Sequence, residues 1–571
     1  MKIRTKKPVF RTRFTFGNII EGSQALAKRQ MTVLSLPLLC AVLLLTSCGM
    51  MEDDLTQTRK GTIGYVAGAL GVISVEEPQA ALVARDVLSS GGTAMDAATA
   101  VGFTLAVTMP SSASLGGGGV CIARDARGEK PVVIDFLPRT PKLASLNVER
   151  PSAVPGLPRG LFMLHSRFGE LKWEQVLSPA ENLARFGYNV PRAFSTELSK
   201  VSDILVRDPE MARLFRRKDG RVLSEGDFFV QPDLAAVLGR MRAKGVGEFY
   251  LGNDAHQFVE AVKQAGGSLS EEDMRDFRPI VREPLTFPWQ SNTNWFFAGP
   301  PAAGGAVAAE MLGIVMNDDR FEGASGAERE HLLAEAAKRA FADRMKNLQA
   351  DGTYREDAQT RLSEDYLDDM EGSIGDRATP FSSLIGSPAD WPETPAAVSY
   401  AIMDPKGGAV ACTLTMNNLF GTGRLAQGYG IVLAAAPDTR GRTFTPLGPA
   451  LLTSELHNRV YMAAAASGGV TAPTALINVL ARAAAGPQSL KEAMRAPRTH
   501  YQGVPDKVFL ESDMPQDMVE DMKKRGHDIA LTKSIGRVTA VYCPTGIPHP
   551  REIECRSAAD PRGYGIALGG I

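Results

Sequence analysis

Apolar and polar positions alternate along the chain in a way that predicts strands at both ends and helices between them. Near the start, Gly71–Val75 has the short apolar run of a buried strand, and two helices with apolar periodicity follow. Further short apolar runs then predict a pair of strands. The predicted helices are Pro78–Leu88 and Ala94–Val107, and the predicted strands are Val120–Ala123 and Val132–Phe136.

The middle of the chain has helical periodicity, and strand-like runs return after it. Residues 351–396 are acidic and rich in turn formers, which predicts an exposed connector. Strands at both ends predict an α/β body in which distant segments share a sheet. The predicted middle helices include Trp173–Phe186, Asp233–Lys244 and Glu328–Leu348, and the returning strands include Val398–Met403 and Ala409–Thr415.

The first 47 residues have the pattern of an export signal. The apolar stretch Leu36–Leu45 is too short for a spanning helix and follows two basic residues, as in a signal peptide. Leu45-Thr46-Ser47-Cys48 resembles the lipobox of bacterial lipoproteins, which implies a lipid anchor at Cys48 that holds the protein to the membrane. Gly49 after this cysteine favours the outer membrane over the inner one. The start codon, Met1 or Met31, stays open, and 48–61 is predicted to be a tether.

Charge and composition exclude two classes of function. The chain of 571 residues has 63 Lys+Arg and 64 Asp+Glu. Residues 1–47 hold eight of the basic residues and one acidic residue, so the rest carries 55 basic and 63 acidic residues. An acidic body argues against a nucleic-acid partner. The absence of further long apolar runs argues against a polytopic membrane protein.

The cysteines give no support for a metal centre. After Cys48 the chain has Cys121, Cys412, Cys543 and Cys555, with no CxxC pair and no histidine cluster in the sequence. Cys543 and Cys555 flank the turn-rich segment PTGIPHP. Two interpretations stay open for them, a disulfide in an oxidising compartment or two free buried thiols. We therefore expect no metal and no cofactor.

Motifs in order from about residue 70 to the end resemble the γ-glutamyltransferase family. They include GGTAMDAATAVGFTLAV with SLGGGG, PPAAGGAVAAEML, AEAAKRAFADR, MDPKGGAVACTLTMNNLFGTG and SAADPRGYG. The resemblance implies an α/β fold of the N-terminal-nucleophile (Ntn) hydrolase type, a four-layer αββα sandwich. It implies a precursor that cuts itself, with 62–396 as the large-subunit region, 397–571 as the small one and both in one joint body. It also implies a threonine nucleophile that acts on γ-glutamyl amides such as glutathione.

The nucleophile of this family is absent from the sequence. The family motif is Thr-x-His-x-Ser-apolar-apolar-Asp, and here its Asp is Asp404. Counting back seven residues reaches Ala397, with Ser399 at the His position and Ala401 at the Ser position. Because Ala397 has no side-chain heteroatom, we expect neither self-cleavage nor attack on an amide. A shifted nucleophile, Ser399 or Thr394, is the alternative.

Positions that hold the glutamyl head in the family are also substituted. Leu137 stands where the carboxylate-binding Arg belongs, and Arg139 lies two residues further on. Ala436 and Thr439 replace a Gln/Glu and an Asp, with Asp438 one residue out of register, and Gly448-Pro449 replaces a Ser-Ser pair. The resemblance thus implies that the clamp for a charged glutamyl head is largely missing.

Other family positions are retained, and their meaning stays open. Thr415 matches a Thr that contacts the nucleophile, Asn417 matches a substrate contact, and Gly468 and Gly469 match the oxyanion donors. Each also has a structural interpretation, as a buried hydrogen-bonding group or a tight turn. The leading hypothesis is a catalytically degenerate exported lipoprotein with a binding or structural role, its partner a small γ-glutamyl-like ligand or a protein. The alternative is an active γ-glutamyl amidase that uses Ser399.

Overall fold

The computed structural model describes residues 71–142, 148, 151–349, 352–385, 396–437, 446–549 and 554–569. All of them belong to one compact unit, Gly64–Ile571. The predicted signal peptide, the tether and Cys48 lie outside the described residues, as do Thr394, Asp438 and Thr439. No helix among the described residues is long and apolar enough to cross a membrane.

One central sheet joins strands from both ends of the chain. Its seven strands are antiparallel and run in the order β20-β1-β9-β10-β2-β3-β6. They are β1 (Val72–Val75), β2 (Gly118–Arg124), β3 (Val132–Phe136), β6 (Ile280–Arg282), β9 (Ala397–Met403), β10 (Ala409–Thr415) and β20 (Ile566–Leu568).

A second antiparallel sheet of six strands lies against the first. Its order is β19-β18-β14-β13-β8-β7. The strands are β7 (Leu285–Trp289), β8 (Thr293–Phe297), β13 (Ala450–Ser454), β14 (Arg459–Ser467), β18 (Arg537–Ile547) and β19 (Arg556–Ala558). Small sheets complete the strands: β4 (Tyr188–Asn189) with β5 (Phe228–Phe229), β11 (Leu425–Ala426) with β12 (Ile431–Val432), and β15 (Thr499–His500), β16 (Val508–Glu511) and β17 (Ile529–Thr532).

Helices cover the outer face of each large sheet. Those of the first half are α1 (Pro78–Ser89), α2 (Ala94–Thr108), α3 (Leu157–Phe168), α4 (Trp173–Phe186), α5 (Arg192–Leu205), α6 (Pro209–Phe215), α7 (Pro232–Lys244), α8 (Gly247–Tyr250), α9 (Gly252–Gln264) and α10 (Glu271–Asp276). The later ones are α11 (Ala303–Met316), α12 (Arg320–Gly323), α13 (Gly326–Asn347), α14 (Glu364–Gly372), α15 (Phe381–Leu384), α16 (Ala472–Ala484), α17 (Leu490–Arg495) and α18 (Gln516–Lys524). Short 3₁₀ helices occupy Gln290–Asn292, Ala358–Leu362 and Gly469–Thr471.

Three apolar clusters separate the four layers. One lies between the first sheet and its helices, one between the second sheet and its helices, and one between the sheets. Strand β9 shows how the alternation of a strand feeds two of them. Val398, Tyr400 and Ile402 join the outer cluster, whereas Ala397, Ala401 and Met403 face the second sheet. The body is therefore an αββα sandwich, as the sequence predicts.

The predicted connector 351–396 is only partly irregular. Its described part contains the 3₁₀ helix Ala358–Leu362 and helices α14 and α15. Leu367 and Phe381 from this stretch are buried in the cluster beneath the second sheet. Glu364, Asp365, Asp368 and Asp369 are exposed, so the predicted exposure holds, but 358–384 contains three short helices and is not a purely irregular connector.

Candidate functional site

The position of the missing nucleophile lies at the first residue of β9. Ala397 pairs with Thr415 of β10, and its side chain is 4% exposed. The methyl group belongs to the apolar cluster between the sheets, together with Leu137, Ala302 and Leu447. The carbonyl oxygen of Ala397 accepts a hydrogen bond from Arg537 Nη2 at 3.2 Å. No hydroxyl, thiol or amine is offered by this side chain.

Thr415 and Asn417 lie next to this position and bond to backbone groups. Thr415 Oγ1 donates to the carbonyl oxygen of Ala396 at 2.8 Å and accepts from the backbone N–H of Asn417 at 3.0 Å. That carbonyl belongs to the peptide bond that a nucleophile at position 397 would attack. Asn417 Nδ2 donates to Ala435 O at 2.8 Å. Both side chains therefore satisfy buried backbone groups in the chain as it stands.

The glycine pair lies at the end of β14 and keeps a left-handed backbone. Gly468 has φ +130° and Gly469 has φ +64°, conformations that L side chains rarely adopt. A Cβ on Gly468 would lie 2.7 Å from the Cα of Gly536. The preceding Ser467 pairs with Arg537, whose side chain reaches Ala397 O. The pair therefore stands at the same end of the sheets as Ala397.

The substituted clamp positions are largely apolar. Leu137 is 8% exposed and packs in the cluster that contains Ala397. Ala436 is buried, and its N–H donates to Pro151 O at 2.8 Å. A Cβ on Gly448 would lie 2.4 Å from Gly305, so only a glycine fits this backbone contact. Among the described residues, these positions offer no charged side chain to a ligand.

Ser399, the alternative nucleophile, is completely buried inside a polar network. Its Oγ donates to Glu76 Oε1 at 2.7 Å and lies 3.0 Å from Thr539 Oγ1. The Ser399 N–H also donates to Glu76 Oε1, at 2.9 Å. Ser399 shares the inter-sheet face of β9 with Ala397, as the alternation predicts, but it pairs with Thr413 inside the strand. A cut before residue 399 would have to open a paired strand.

Glu76 and Arg537 form the charged centre of this network. Arg537 Nε donates to Glu76 Oε2 at 2.5 Å, and Arg537 Nη2 lies 3.6 Å from Glu197 Oε1. Glu197 in turn accepts hydrogen bonds from the hydroxyl groups of Ser111 and Ser112. Burial lowers the pKa of Arg537, but the two carboxylates outweigh it, so the pKa lies above its usual range. No local sequence signal marks this network, because its members lie far apart in the chain.

A cleft of about 810 Å³ opens beside Leu137. Its walls come from the segment after β3, from the β6–β7 connection, from the turn after β8 and from 353–358. The apolar part of the lining is Leu137, Leu285, Pro300, Pro301 and Pro437, with the ring of Tyr354. Arg139, which the sequence places two residues from the clamp position, also lines it. A volume of this size suits a small molecule or a short peptide segment.

The fold brings together histidines that are distant in the sequence. His331 Nδ1 lies 2.8 Å from His527 Nε2, and His331 Nε2 lies 2.8 Å from Gly375 O. Glu335 completes a trio whose potential ligand atoms lie within 4.8 Å of one another, so folding creates a histidine cluster that the linear sequence does not contain. Glu335 already binds Lys338 and Arg339, at 2.9 Å each. These two positive charges would repel a metal cation bound by Glu335, so we assign the trio a structural role.

Four cysteines are paired in the structure. Cys543 and Cys555 form a disulfide, as do Cys121 and Cys412. Cys121 and Cys412 lie directly opposite each other on β2 and β10, 291 residues apart in sequence. From the sequence, both a disulfide and two free thiols were possible for Cys543 and Cys555. No sequence signal indicated the disulfide between Cys121 and Cys412, because it depends on the pairing of β2 with β10.

An αββα sandwich in which the first residue of a central strand faces the space between the two sheets defines the Ntn-hydrolase class of folds. Within that class, the sequence model of the family described as Gamma-glutamyltranspeptidase matches residues 80–570, and the chain belongs to this family. The predicted family and fold are thus confirmed.

Relatives and solved structures agree with this assignment. The chain is 27% identical over 534 residues to the glutathione hydrolase proenzyme of Escherichia coli K12, with 86% of this chain and 90% of that protein covered. It is 29% identical over 552 residues to the glutathione hydrolase proenzyme of Pseudomonas aeruginosa, with coverages of 87% and 94%. The crystal structure of cephalosporin acylase from Bacillus halodurans superposes with a TM-score of 0.75 at 23% identity, covering 91% of this chain and 99% of that one. That likeness concerns the fold.

Proposed function

We propose that the protein is an exported member of the gamma-glutamyltranspeptidase family that stays a single uncut chain, transfers no γ-glutamyl group and acts by binding. The observation that carries the proposal is Ala397 at the start of β9. Self-cleavage needs a side-chain hydroxyl or thiol that attacks the preceding carbonyl, and catalysis then needs that group beside its own free α-amine. A methyl group supplies neither.

The surroundings of Ala397 support the same conclusion. Leu137 and Ala436 put apolar side chains where a glutamyl head would need charged partners. A buried α-carboxylate without a cation or hydrogen-bond donors is costly, by several kcal/mol. Thr415 bonds to the carbonyl of Ala396 and Asn417 to that of Ala435, so neither depends on a substrate for a partner. The retained positions are consistent with a protein that has preserved the family fold but does not catalyse the family reaction.

An active hydrolase is the second candidate, because relatives over most of the chain are named glutathione hydrolase proenzymes. It requires a replacement nucleophile. Among the residues that the structure describes, Ser399 is the candidate nucleophile. It is fully buried, hydrogen-bonded to Glu76 and placed inside a paired strand. A substrate carbonyl could not approach its Oγ without displacing that network, which is why this candidate ranks second.

The proposed location is the cell envelope, with the chain anchored through Cys48 and facing the periplasm. This part rests on the apolar stretch Leu36–Leu45 and the lipobox-like residues before Cys48. It favours the outer membrane, because the residue after the cysteine is Gly49. The ligand or partner is then a small molecule or a protein of the same compartment.

The intact mass of the protein extracted from membranes tests the proposal. We expect one polypeptide that begins at a lipid-modified Cys48 and continues through position 397 to the C-terminus. The Ser399→Ala variant serves as the matched control and should give the same single chain, with no release of p-nitroaniline from γ-glutamyl-p-nitroanilide by either protein. Two fragments with a new amino terminus near 397, or turnover that the Ser399→Ala change abolishes, would establish the hydrolase instead.

A further inference from the structure

Arg139 is a cation in the wall of the cleft that forms no ion pair with any residue that the structure describes. Its Nη1 donates to the carbonyl of Arg278 at 2.9 Å, and its guanidinium lies over the ring of Phe277, 4.7 Å from the ring centre. Its Nη2 is buried and has no hydrogen-bond partner among the described residues. An unsatisfied buried donor on a charged group is costly, so such a group commonly marks the place of a ligand or a water molecule.

The carboxylate that would be the natural partner of Arg139 is already engaged. Asp135 Oδ1 accepts from the N–H of Leu137 at 3.0 Å, and Asp135 Oδ2 accepts from Arg282, with 2.8 Å to Nη2. Arg282, the other cation of the lining, is therefore neutralised by an ion pair. The lining acids Glu283, Glu356 and Asp357 are exposed at the mouth, where water and salt screen them. Within the part of the chain that the structure describes, Arg139 is thus left without an ion pair.

Apart from these charged groups, much of the wall is apolar and rigid. Leu137 and Leu285 come from the ends of strands of the two sheets, and Pro300, Pro301 and Pro437 limit backbone movement. Such a surface stabilises an apolar ligand body by removing it from water. A second buried charge on the ligand would find no free partner there and would weaken binding.

We propose that this cleft binds a monocarboxylate with an apolar body, whose carboxylate pairs with Arg139 and whose body packs on Leu137, Leu285 and the prolines. The inference rests on the proposed function, because it assigns a ligand class to the binding role. It makes Arg139 the residue that determines specificity, two positions from the place where the family resemblance puts the clamp.

Calorimetry with two matched probes tests this. Hippurate has a benzoyl body and one carboxylate, and hippuramide has the same body with a neutral amide. We expect the unaltered protein to bind hippurate at least about tenfold more tightly than hippuramide, because a charge-assisted guanidinium–carboxylate contact exceeds a neutral one by this order. In Arg139→Gln the two probes should bind equally, and both weakly. The control Arg207→Gln, at an exposed arginine outside the lining, should keep the preference.

Two further measurements distinguish the possible results. Arg139→Lys keeps the positive charge but lacks the planar guanidinium group, so it should retain part of the preference for hippurate. Thermal melting identifies any variant that fails to fold. Equal binding of the two probes by the unaltered protein, no hippurate binding at millimolar concentration, or a preference that survives in folded Arg139→Gln would each overturn the inference. The intact mass of the same sample reports on the proposed function independently: an uncut chain without hippurate binding rejects only the ligand class.

Discussion

At the scale of single residues, the contacts around the start of β9 converge on Glu76. This carboxylate accepts the N–H and the hydroxyl of Ser399 and the Nε of Arg537. Its side chain is almost completely buried, and that of Arg537 is three-quarters buried. The charge pair joins the end of β1 to β18 beside Ala397. Polar groups near the missing nucleophile thus hold strands together.

The Glu76→Gln variant should lose about 3 kcal/mol of unfolding free energy, because breaking one side of a buried pair leaves Arg537 without its main counter-ion. Ser399→Ala should lose less, about 2 kcal/mol, since it removes the hydroxyl contacts to Glu76 and Thr539 but leaves the ion pair in place. Urea denaturation of the purified variants measures both. Glu225→Gln, which breaks the exposed pair with Arg192, is the control and should change stability by less than about 1 kcal/mol. Equal losses for Glu76→Gln and Glu225→Gln would contradict the assignment.

At the scale of elements, helix α13 is buried along most of its length and carries charged groups inward. His331, Glu335 and Lys338 lie on it, and His527 approaches from the turn after α18. Burial raises the pKa of Glu335, but Lys338, Thr379 and Arg339 outweigh it and bring the pKa to about 2. Burial, Lys338, His331 and Arg525 lower the pKa of His527 to about 3 against the opposing effect of Glu335. Burial also lowers the pKa of His331.

These shifts predict acid sensitivity below neutral pH. The folded protein keeps His527 neutral, whereas the unfolded chain binds a proton near pH 6.5. The stability that neutral His527 contributes is therefore complete above about pH 6.5 and decreases as the pH falls towards 3. The slope is about 1.4 kcal/mol per pH unit for each such histidine. The His527→Gln variant should be less stable at pH 7 and show a shallower loss between pH 6 and pH 4 in urea titrations. Parallel stability curves for variant and unaltered protein would refute this.

At the scale of the whole molecule, the two regions of the chain share both sheets. In the first sheet, β1 of 62–396 lies between β20 and β9 of 397–571, and β10 pairs with β2. In the second sheet, β8 pairs with β13 across the same division. Neither region contains a complete sheet, so each would expose strand edges and one face of the inter-sheet cluster.

Separate expression of 62–396 and 397–571 should therefore give aggregated or unfolded protein, and co-expression should give a soluble complex of the two. Thermal unfolding followed by circular dichroism measures this, with a cooperative transition expected only for the complex and the unbroken chain. The same division tests whether an uncut chain is needed for folding. A cooperative transition for 62–396 alone would show that the region is an independent domain.

Much of the architecture was accessible from local patterns. Helix α2 begins at Ala94, where Thr93 and Asp96 form a capping box, and the alternation along β9 correctly puts Ala397 and Ser399 on one face. The helices within the connector were missed because composition reports solvent exposure and does not exclude short helices, such as α14 with its single buried side chain, Leu367.

The candidate site was only partly accessible, because its contacts join distant segments. Glu76 and Arg537 are 461 residues apart, and His331 and His527 are 196 apart. Periodicity and spacing describe neighbours within an element, whereas these pairs exist only once sheets and helices have packed.

The amino-acid sequence alone determined that position 397 carries a methyl group, since no fold can supply an atom that the side chain lacks. It also determined the family, through ordered motifs that extend over most of the chain. Only the tertiary structure decided that Ser399 is enclosed by Glu76 and Thr539, and that Nη2 of Arg139 is buried beside the cleft without a partner among the described residues. Those properties depend on which charges the folded chain brings within hydrogen-bond distance and which groups it removes from water.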